Sequence, residues 1–319
     1  MQAFELLGKN HHDELLNSAA AGNVTATVSR IFSVLPSATE ILCLLPGFDE
    51  LLVGRNHEWD YPRCKTTFTT SADVDRQVSE ALSQGNSLYT LDIPQIQQLK
   101  PNMILTQDIC DVCAIELQTV QRVAKGMKPS PTVLTLNPAL LRDVLVNTVE
   151  VSDAVGAPKE VRAIFEDLVR RVKAAEQWSL ANVKQRPNVA FIEWVDPPAT
   201  LVETRPDILL IAPCGLDFDT TKRELRLLLD RADAWWWQLN PRPKRVILMN
   251  GKHHFNRPGP RLVDALEFVQ ALLHRPELLL RFESKEYTDK DGVGFPYEEL
   301  GLGYWFDKTN CMGKAPKQP

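Results

Sequence analysis

Short apolar runs recur along both halves of the chain, and segments with helical spacing separate them. Runs of this length, bounded by turn residues, are typical of buried strands. Strands that alternate with short helices predict βαβ units and mostly parallel sheets, because parallel strands need a long crossover connection. The predicted strands lie at about 30–36, 50–56, 102–106, 131–137, 188–195, 207–214 and 245–251.

The polar positions between these runs predict where helices begin. Ser37 with Glu40 three residues later matches a capping box, which predicts a helix start at Ser37. Asp92 is the predicted cap of the next helix. Residues 138–182 keep helical spacing without any strand signal, and Pro158 interrupts them. The pattern therefore predicts a long helical connector that bends at Pro158.

This order of elements predicts an α/β fold of two lobes with mostly parallel sheets joined by the connecting helix. The predicted segments are an N-terminal tail (1–28), an N-terminal lobe (29–137), the connector (138–185), a C-terminal lobe (186–275) and a polar C-terminal tail (276–319). Four aromatic residues in the last segment, Phe295, Tyr297, Tyr304 and Trp305, leave open the alternative that it packs on the body.

Composition narrows the class of partner. The 319-residue chain has a net charge of −5 and is 44% hydrophobic, so it has material for a core and no basic surface for nucleic acid or anionic lipid. No window approaches the roughly 20 apolar residues of a membrane span. The first 22 residues lack a basic start followed by an apolar stretch. We therefore expect a cytoplasmic protein whose six cysteines are thiols.

Five ordered blocks over about 29–275 resemble the helical-backbone class of ABC-importer substrate-binding proteins, in particular its vitamin B12 (cobalamin) and iron–siderophore branch. The blocks read RIFSVLPSATEILCLLPGFDELLVGRNHEWDYP, LKPNMILTQDICDVCA, VAFIEWVDPP, RPDILLIAPCGLD and FNRPGPRLVDALE. The resemblance implies that a small-molecule ligand, a cobalamin, tetrapyrrole or iron chelate, is bound between the lobes without catalysis. It implies no resident cofactor. A permease partner is not expected without a signal peptide.

The resemblance also implies which strand-end residues line the ligand. They are His57, Glu58, Trp59, Tyr61, Asp108, Cys110, Cys113, Glu193, Trp194, Cys214, His254, Phe255 and Arg257. Each has a plainer alternative: solvated carboxylates, a tryptophan packed on its own lobe, or an arginine paired with a neighbouring acid. Arg257 and Arg261 precede a predicted helix, where an anionic ligand group and an internal carboxylate are both suitable partners.

The segment between the blocks EWVDPP and RPDILLIA departs from the family. Only residues 199–204 separate them, whereas the family has several tens of residues with a helix and sheet elements. A helical crossover between parallel strands needs about a dozen residues. The sequence therefore predicts that the strands at 188–195 and 207–214 lack a normal helical crossover. Either they pair differently, or the chain is a shortened version, such as a truncated isoform, with an incomplete second lobe.

Two other functions stay open. Cys110-x-x-Cys113 follows a predicted strand and begins a helix, a setting that suits a thiol redox or metal-dependent enzyme. A zinc site would need further ligands, for which Cys214, His57 and His254 are the candidates. The other alternative is a degenerate chain that binds no ligand.

The three rings of the run Trp235–Trp237 cannot all face one core. We therefore expect one or two of them to pack under the strand at 245–249 and another to be exposed. An exposed ring would be either a partner site or, as we favour, surface left uncovered by the missing segment.

Overall fold

The computed structural model describes residues 28–55, 91–108, 117–195, 200–283 and 295–306. These form two compact units. In the described chain, the first unit contains 28–55, 91–108, 117–177 and 257–266, and the second contains 178–195, 200–256, 267–283 and 295–306. The prediction of an α/β fold with two lobes is confirmed. No helix among these residues is both long and apolar enough to cross a membrane.

The first unit is built on a parallel sheet of four strands in the order β2-β1-β3-β4. The strands are β1 (Ile31–Ser33), β2 (Leu52–Arg55), β3 (Met103–Thr106) and β4 (Thr132–Thr135). β1 and β3 are buried along their whole length, as expected of central parallel strands covered on both faces. All four lie inside the predicted strand segments.

Helices of the first unit follow each strand. They are α1 (Pro36–Leu44), α2 (Ile93–Leu99), α3 (Leu117–Gly126), α4 (Leu141–Val155) and most of α5 (Pro158–Asn182). The Asp92 side chain accepts a hydrogen bond from the Gln95 amide at 3.0 Å, which confirms the predicted cap. The capping box at Ser37 is wrong: α1 begins at Pro36 without a side-chain cap, and the Glu40 carboxylate bonds to Arg261 instead.

The predicted connector is two helices rather than one bent helix. α4 ends at Gly156, whose φ of +80° is favourable for glycine, and Pro158 disfavours helical geometry at Ala157. Val151 and Val155 of α4 pack with the β1 and β3 side chains in the core of the first unit. Of these two helices, only α5 continues from the first unit into the second, because the division falls after residue 177.

The second unit has a sheet in the order β5-β6-β7-β8. β5 (Val189–Ile192), β6 (Ile208–Ile211) and β7 (Arg245–Met249) are parallel, and β8 (Tyr297–Glu299) runs antiparallel to β7. Its helices are α6 (Thr200–Glu203), α7 (Phe218–Leu229), α8 (Trp235–Gln238), the larger part of α9 (Leu262–His274), α10 (Leu279–Glu283) and α11 (Leu302–Trp305). Turns of 3-10 helix lie at Asp49–Leu51, His254–Asn256 and Pro276–Leu278.

The three consecutive tryptophans of α8 belong to the core of the second unit. Trp235 and Trp236 are buried and Trp237 is half-buried. Their indole nitrogens donate hydrogen bonds to the carbonyl oxygens of Val195, Trp305 and Leu229, respectively, at 2.9–3.2 Å. Packing of two rings is confirmed. The expected exposed ring is wrong, because Trp237 packs against the same core and its polar atom is satisfied.

The C-terminal segment is not simply a polar tail. Residues 295–306 contain β8 and α11, and Phe295, Leu300, Trp305 and Phe306 are all buried. Arg245 of β7 holds β8 in place, because its guanidinium forms two hydrogen bonds of 2.8 Å with the Glu299 carboxylate. This part of the predicted tail is therefore the fourth strand and part of the core of the second unit.

The short junction joins neighbouring strands. β5 and β6 pair in parallel, and the described part of their connection contains only the single turn α6. The alternative that these two strands pair differently is therefore wrong, and the described part of their connection is one helical turn. Asn188 links the connection to the amino end of this strand pair, because its side-chain amide nitrogen donates a hydrogen bond to the carbonyl oxygen of Arg205 at 3.2 Å. Whether the junction marks a truncated isoform stays a prediction.

Candidate functional site

The carboxyl ends of β5, β6 and β7 meet at one edge of the second sheet, because the three strands are adjacent and parallel. Five predicted ligand residues follow these ends: Glu193 and Trp194 after β5, Cys214 after β6, and His254 and Phe255 after β7. In open α/β sheets the crevice outside the carboxyl ends is the usual ligand site. We call this set of residues the strand-end surface.

The loops after β6 and β7 are locked together by main-chain contacts. The Gly215 amide donates to the Gly251 carbonyl at 3.1 Å, and the Gly251 amide donates to the Leu216 carbonyl at 2.9 Å. A β-carbon on Gly251 would lie 1.7 Å from the Pro213 carbonyl oxygen, so only glycine permits this approach. Gly215 has a φ of +77°, which also favours glycine. The backbone that carries Cys214 is therefore fixed.

Asn256 adds a side-chain bridge between the same loops. Its amide nitrogen donates to the carbonyl oxygens of Ala212 at 3.0 Å and Gly251 at 2.9 Å. The loop after β5 has its own anchor, because the Trp235 indole nitrogen donates to the Val195 carbonyl next to Trp194. All three loops of the strand-end surface are thus held by hydrogen bonds from the body of the unit.

Side chains of the strand-end surface differ in how accessible they are. Trp194 is 46% exposed, Cys214 and Glu193 are exposed, and Phe255 is half-buried. His254 is buried, and its ring centre lies 4.4 Å from that of Phe295. Trp194 and Cys214 are therefore accessible from outside the unit and Phe255 partly so, whereas His254 is packed beneath the loop surface.

An ion pair with Asp217 neutralises Lys252, which lies in the loop after β7 next to this surface. Lys252 donates to the Asp217 carboxylate at 2.9 Å, and the same carboxylate caps α7 by accepting from the Thr220 amide at 3.0 Å. Burial alone would raise the pKa of Asp217, but the hydrogen bonds from Lys252 and Thr220 outweigh it and lower the pKa to about 2. Asp217 is therefore ionised and keeps Lys252 oriented.

Two predicted residues lie in the first unit. Asp108 is exposed after β3, and its amide donates to the Asn137 side chain at 2.8 Å, which ties the ends of β3 and β4 together. Arg257 is half-buried ahead of α9. Its neighbour Arg261 pairs with the buried Glu40 carboxylate at 2.8 Å, and the Arg261 side chain is 12% exposed, so for Arg261 the internal carboxylate is a partner.

The remaining predicted residues lie outside the described residues: His57, Glu58, Trp59, Tyr61, Cys110 and Cys113. Among the described residues, no group of three or more histidine, cysteine, aspartate or glutamate side chains is arranged to hold a metal ion. The residues that sequence reasoning missed are Asp217, Gly251, Lys252 and Asn256. Asp217 had a usable signal, since it directly precedes a helical period, whereas nothing local marks Asn256.

Comparison with known proteins identifies similar structures. No protein-family model matches the chain, and no curated protein matches it. A periplasmic heme binding protein from Pseudomonas aeruginosa matches with a TM-score of 0.56 and 18% identity, over 77% of this chain and 93% of that protein. The periplasmic vitamin B12 binding protein BtuF of Vibrio cholerae matches with a TM-score of 0.52 and 16% identity, over 81% and 99%.

A third match is the periplasmic heme binding protein HutB of Vibrio cholerae, with a TM-score of 0.52 and 14% identity, over 77% of this chain and 98% of that protein. The three matches share the two-unit α/β architecture that the sequence predicted, and each is covered almost completely. The chain therefore has the fold of the periplasmic heme and vitamin B12 binding proteins.

Proposed function

We propose that this protein binds a cobalamin, a tetrapyrrole or an iron chelate without catalysis, and that the strand-end surface supplies part of the binding site. The single observation that carries the proposal is that five predicted ligand residues follow three adjacent strand ends in one unit, on loops fixed by hydrogen bonds. The similar structures are those of heme and vitamin B12 binding proteins, which supports this ligand class.

The binding contribution of this surface comes from its aromatic side chains. Trp194 is a large amphipathic ring that is nearly half exposed on an anchored loop, so little conformational entropy is lost when it stacks on a planar ligand. Phe255, on the loop after β7, adds a half-buried apolar ring whose centre lies 5.5 Å from that of Phe191. Because Lys252 is paired with Asp217, the surface favours the apolar face of a macrocycle over a bare anion.

Titration of the purified protein with cyanocobalamin, haem and a ferric chelate tests the proposal. We expect saturable binding of at least one of them, and Trp194→Ala is expected to weaken it by about 1–3 kcal/mol, the range for loss of a buried aromatic contact. Leu227→Ala is the matched control, because Leu227 is an exposed apolar residue of α7 in the same unit. Absence of saturable binding to all three, from folded protein, contradicts the proposal.

No described residue supports the alternative of a thiol redox or metal-dependent enzyme, because Cys110 and Cys113 lie outside the described residues. The cytoplasmic location and the lack of a permease partner also stay predictions. Fractionation of cells that express the chain would test the location independently of ligand binding.

A further inference from the structure

Phe295 links the C-terminal segment to the loop after β7. Its ring is buried and stacks on the ring of Phe268 in α9, with centres 4.2 Å apart and an angle of 16° between the planes. The main chain beside it is also fixed, because the Asn250 amide at the start of the loop donates a hydrogen bond to the Pro296 carbonyl at 3.3 Å. Phe295 therefore has a fixed position next to a loop that carries two residues of the strand-end surface.

Both of these strand-end residues contact the Phe295 ring. The ring centre of His254 lies 4.4 Å from that of Phe295. The ring of Phe255 lies 6.3 Å away at an angle of 84°, which is the edge-to-face arrangement that aromatic pairs favour. Phe191 of β5 contacts Phe255 as well, with centres 5.5 Å apart. Phe255 thus has aromatic neighbours from two distant parts of the chain.

These contacts limit the orientations of the Phe255 ring before any ligand arrives. A half-buried ring that is free to change rotamer would lose entropy when a ligand fixes it, whereas a ring already confined loses little. His254 is buried against Phe295, so a cavity in place of the Phe295 ring would let the histidine shift and its loop follow.

We propose that Phe295 is a positioning residue of the strand-end surface, and that it holds the Phe255 and His254 rings in the orientation that the ligand meets. The inference rests on the proposed function. It assigns to the C-terminal segment, through this one ring, a part in setting ligand affinity.

NMR of the ligand-free protein with labelled histidine tests the positioning itself. Phe295→Leu keeps a buried apolar side chain and removes the ring, so the His254 ring signals, identified by their loss in His254→Gln, are expected to change position. Phe295→Met, whose flexible side chain adapts to the same space, is a second variant in which the same change is expected. Unchanged His254 signals in both variants overturn the proposal.

Phe282→Leu is the matched control. Phe282 is buried in α10 and packs on Phe268 and Phe295, with ring centres 5.5 and 5.7 Å away, so it belongs to the same aromatic cluster one ring further from the loop. Its substitution is expected to cost similar stability in urea denaturation and to move the His254 signals less.

Affinities for haem and cyanocobalamin then separate positioning from stability. Phe295→Leu is expected to weaken binding by about 2- to 10-fold, the size of one lost aromatic contact, while Phe282→Leu keeps about the wild-type affinity. Equal losses of affinity in the two variants overturn the proposal, because affinity would then follow stability alone. If the wild type binds neither compound, the effect on affinity falls with the proposed function, and the His254 signals decide whether Phe295 positions the loop.

Discussion

Gly251 is the residue on which the geometry of the strand-end surface depends most directly. Its α-carbon faces the main chain of Pro213 so closely that a β-carbon would lie 1.7 Å from the carbonyl oxygen and 2.6 Å from the carbonyl carbon. Backbone atoms cannot rotate away as a side chain does. We therefore expect Gly251→Ala to separate the loops after β6 and β7 and to lower the free energy of unfolding by about 1–3 kcal/mol, measured by urea denaturation.

Gly303→Ala is the matched control for this substitution. Gly303 lies in α11 of the same unit, and nothing is within 4 Å of a β-carbon placed there. Alanine is the better helix former, so the control is expected to be neutral or stabilising by up to about 1 kcal/mol. Equal losses in both variants would contradict the role assigned to the Gly251–Pro213 approach.

Glu40 shows how a residue with a local sequence signal is used for a distant contact. Its carboxylate accepts from both the main-chain amide and the Nε of Arg261, each at 2.8 Å, and the Glu40 side chain is 3% exposed. Glu40→Gln leaves the guanidinium buried without its counter-charge, so we expect a loss of about 3 kcal/mol in the free energy of unfolding. Glu50→Gln, at an exposed acid of the same unit, is expected to change it by less than about 0.5 kcal/mol.

Helix α7 begins at a charged cap whose effect depends on pH. The Asp217 pKa is lowered from 3.8 to about 2, so the folded protein binds its proton less readily than the unfolded chain. The stabilisation is therefore complete above pH 3.8 and is lost as the pH falls towards 2. Because the side chain is 42% exposed, solvent screening limits the effect to roughly 1 kcal/mol.

Asp217→Asn isolates this charge, since asparagine is also a good helix cap. The unfolding free energy of the wild type is expected to fall more steeply between pH 3.8 and about 2 than that of the variant. Asp219→Asn, an exposed position in the first turn of the same helix, serves as the control. Identical pH profiles for wild type and Asp217→Asn would contradict the assignment.

Strand β8 completes the core of the second unit from the far end of the sequence. A chain ending at residue 294 loses four buried apolar side chains, Phe295, Leu300, Trp305 and Phe306. At about 1.5–3 kcal/mol each, the loss is comparable to the whole stability of a typical domain, about 5–15 kcal/mol. We expect this truncation to abolish the cooperative unfolding transition of the second unit, and a chain ending at Phe306 to retain it, as followed by tryptophan fluorescence.

The sequence predicted the central parallel strands well, because each is an apolar run whose burial requires no distant information. β8 was missed since Tyr297–Glu299 is short and largely charged, and it becomes a strand only through the Arg245 side chain and the buried residues around it. At the site, strand-end placement was predictable from the order of elements. The contacts that hold the loops together were not predictable. Asn256 donates to the carbonyl of Ala212, and Gly251 packs against the main chain of Pro213, and both partners are distant in sequence.

At the scale of the whole molecule, each unit has a core of its own, which a degenerate chain with an unfolded second half would lack. In the second unit the apolar side chains of β5, β6 and β7 pack with α7 and α8 around the buried Trp236. A degenerate chain would lose its second half to proteases quickly, whereas a folded unit is cleaved only when it opens.

Limited trypsin digestion, followed by mass spectrometry of the fragments, tests this expectation at two matched arginines. Arg245 lies in β7, which is paired on both sides, and Arg171 lies in α5 of the first unit, where it pairs with Asp264. Cleavage after either arginine requires the surrounding structure to open, so we expect both sites to be protected to a similar extent. Early cleavage after Arg245 while Arg171 stays intact would mean that the second unit is not stably folded, and the strand-end surface could not then act as a binding site.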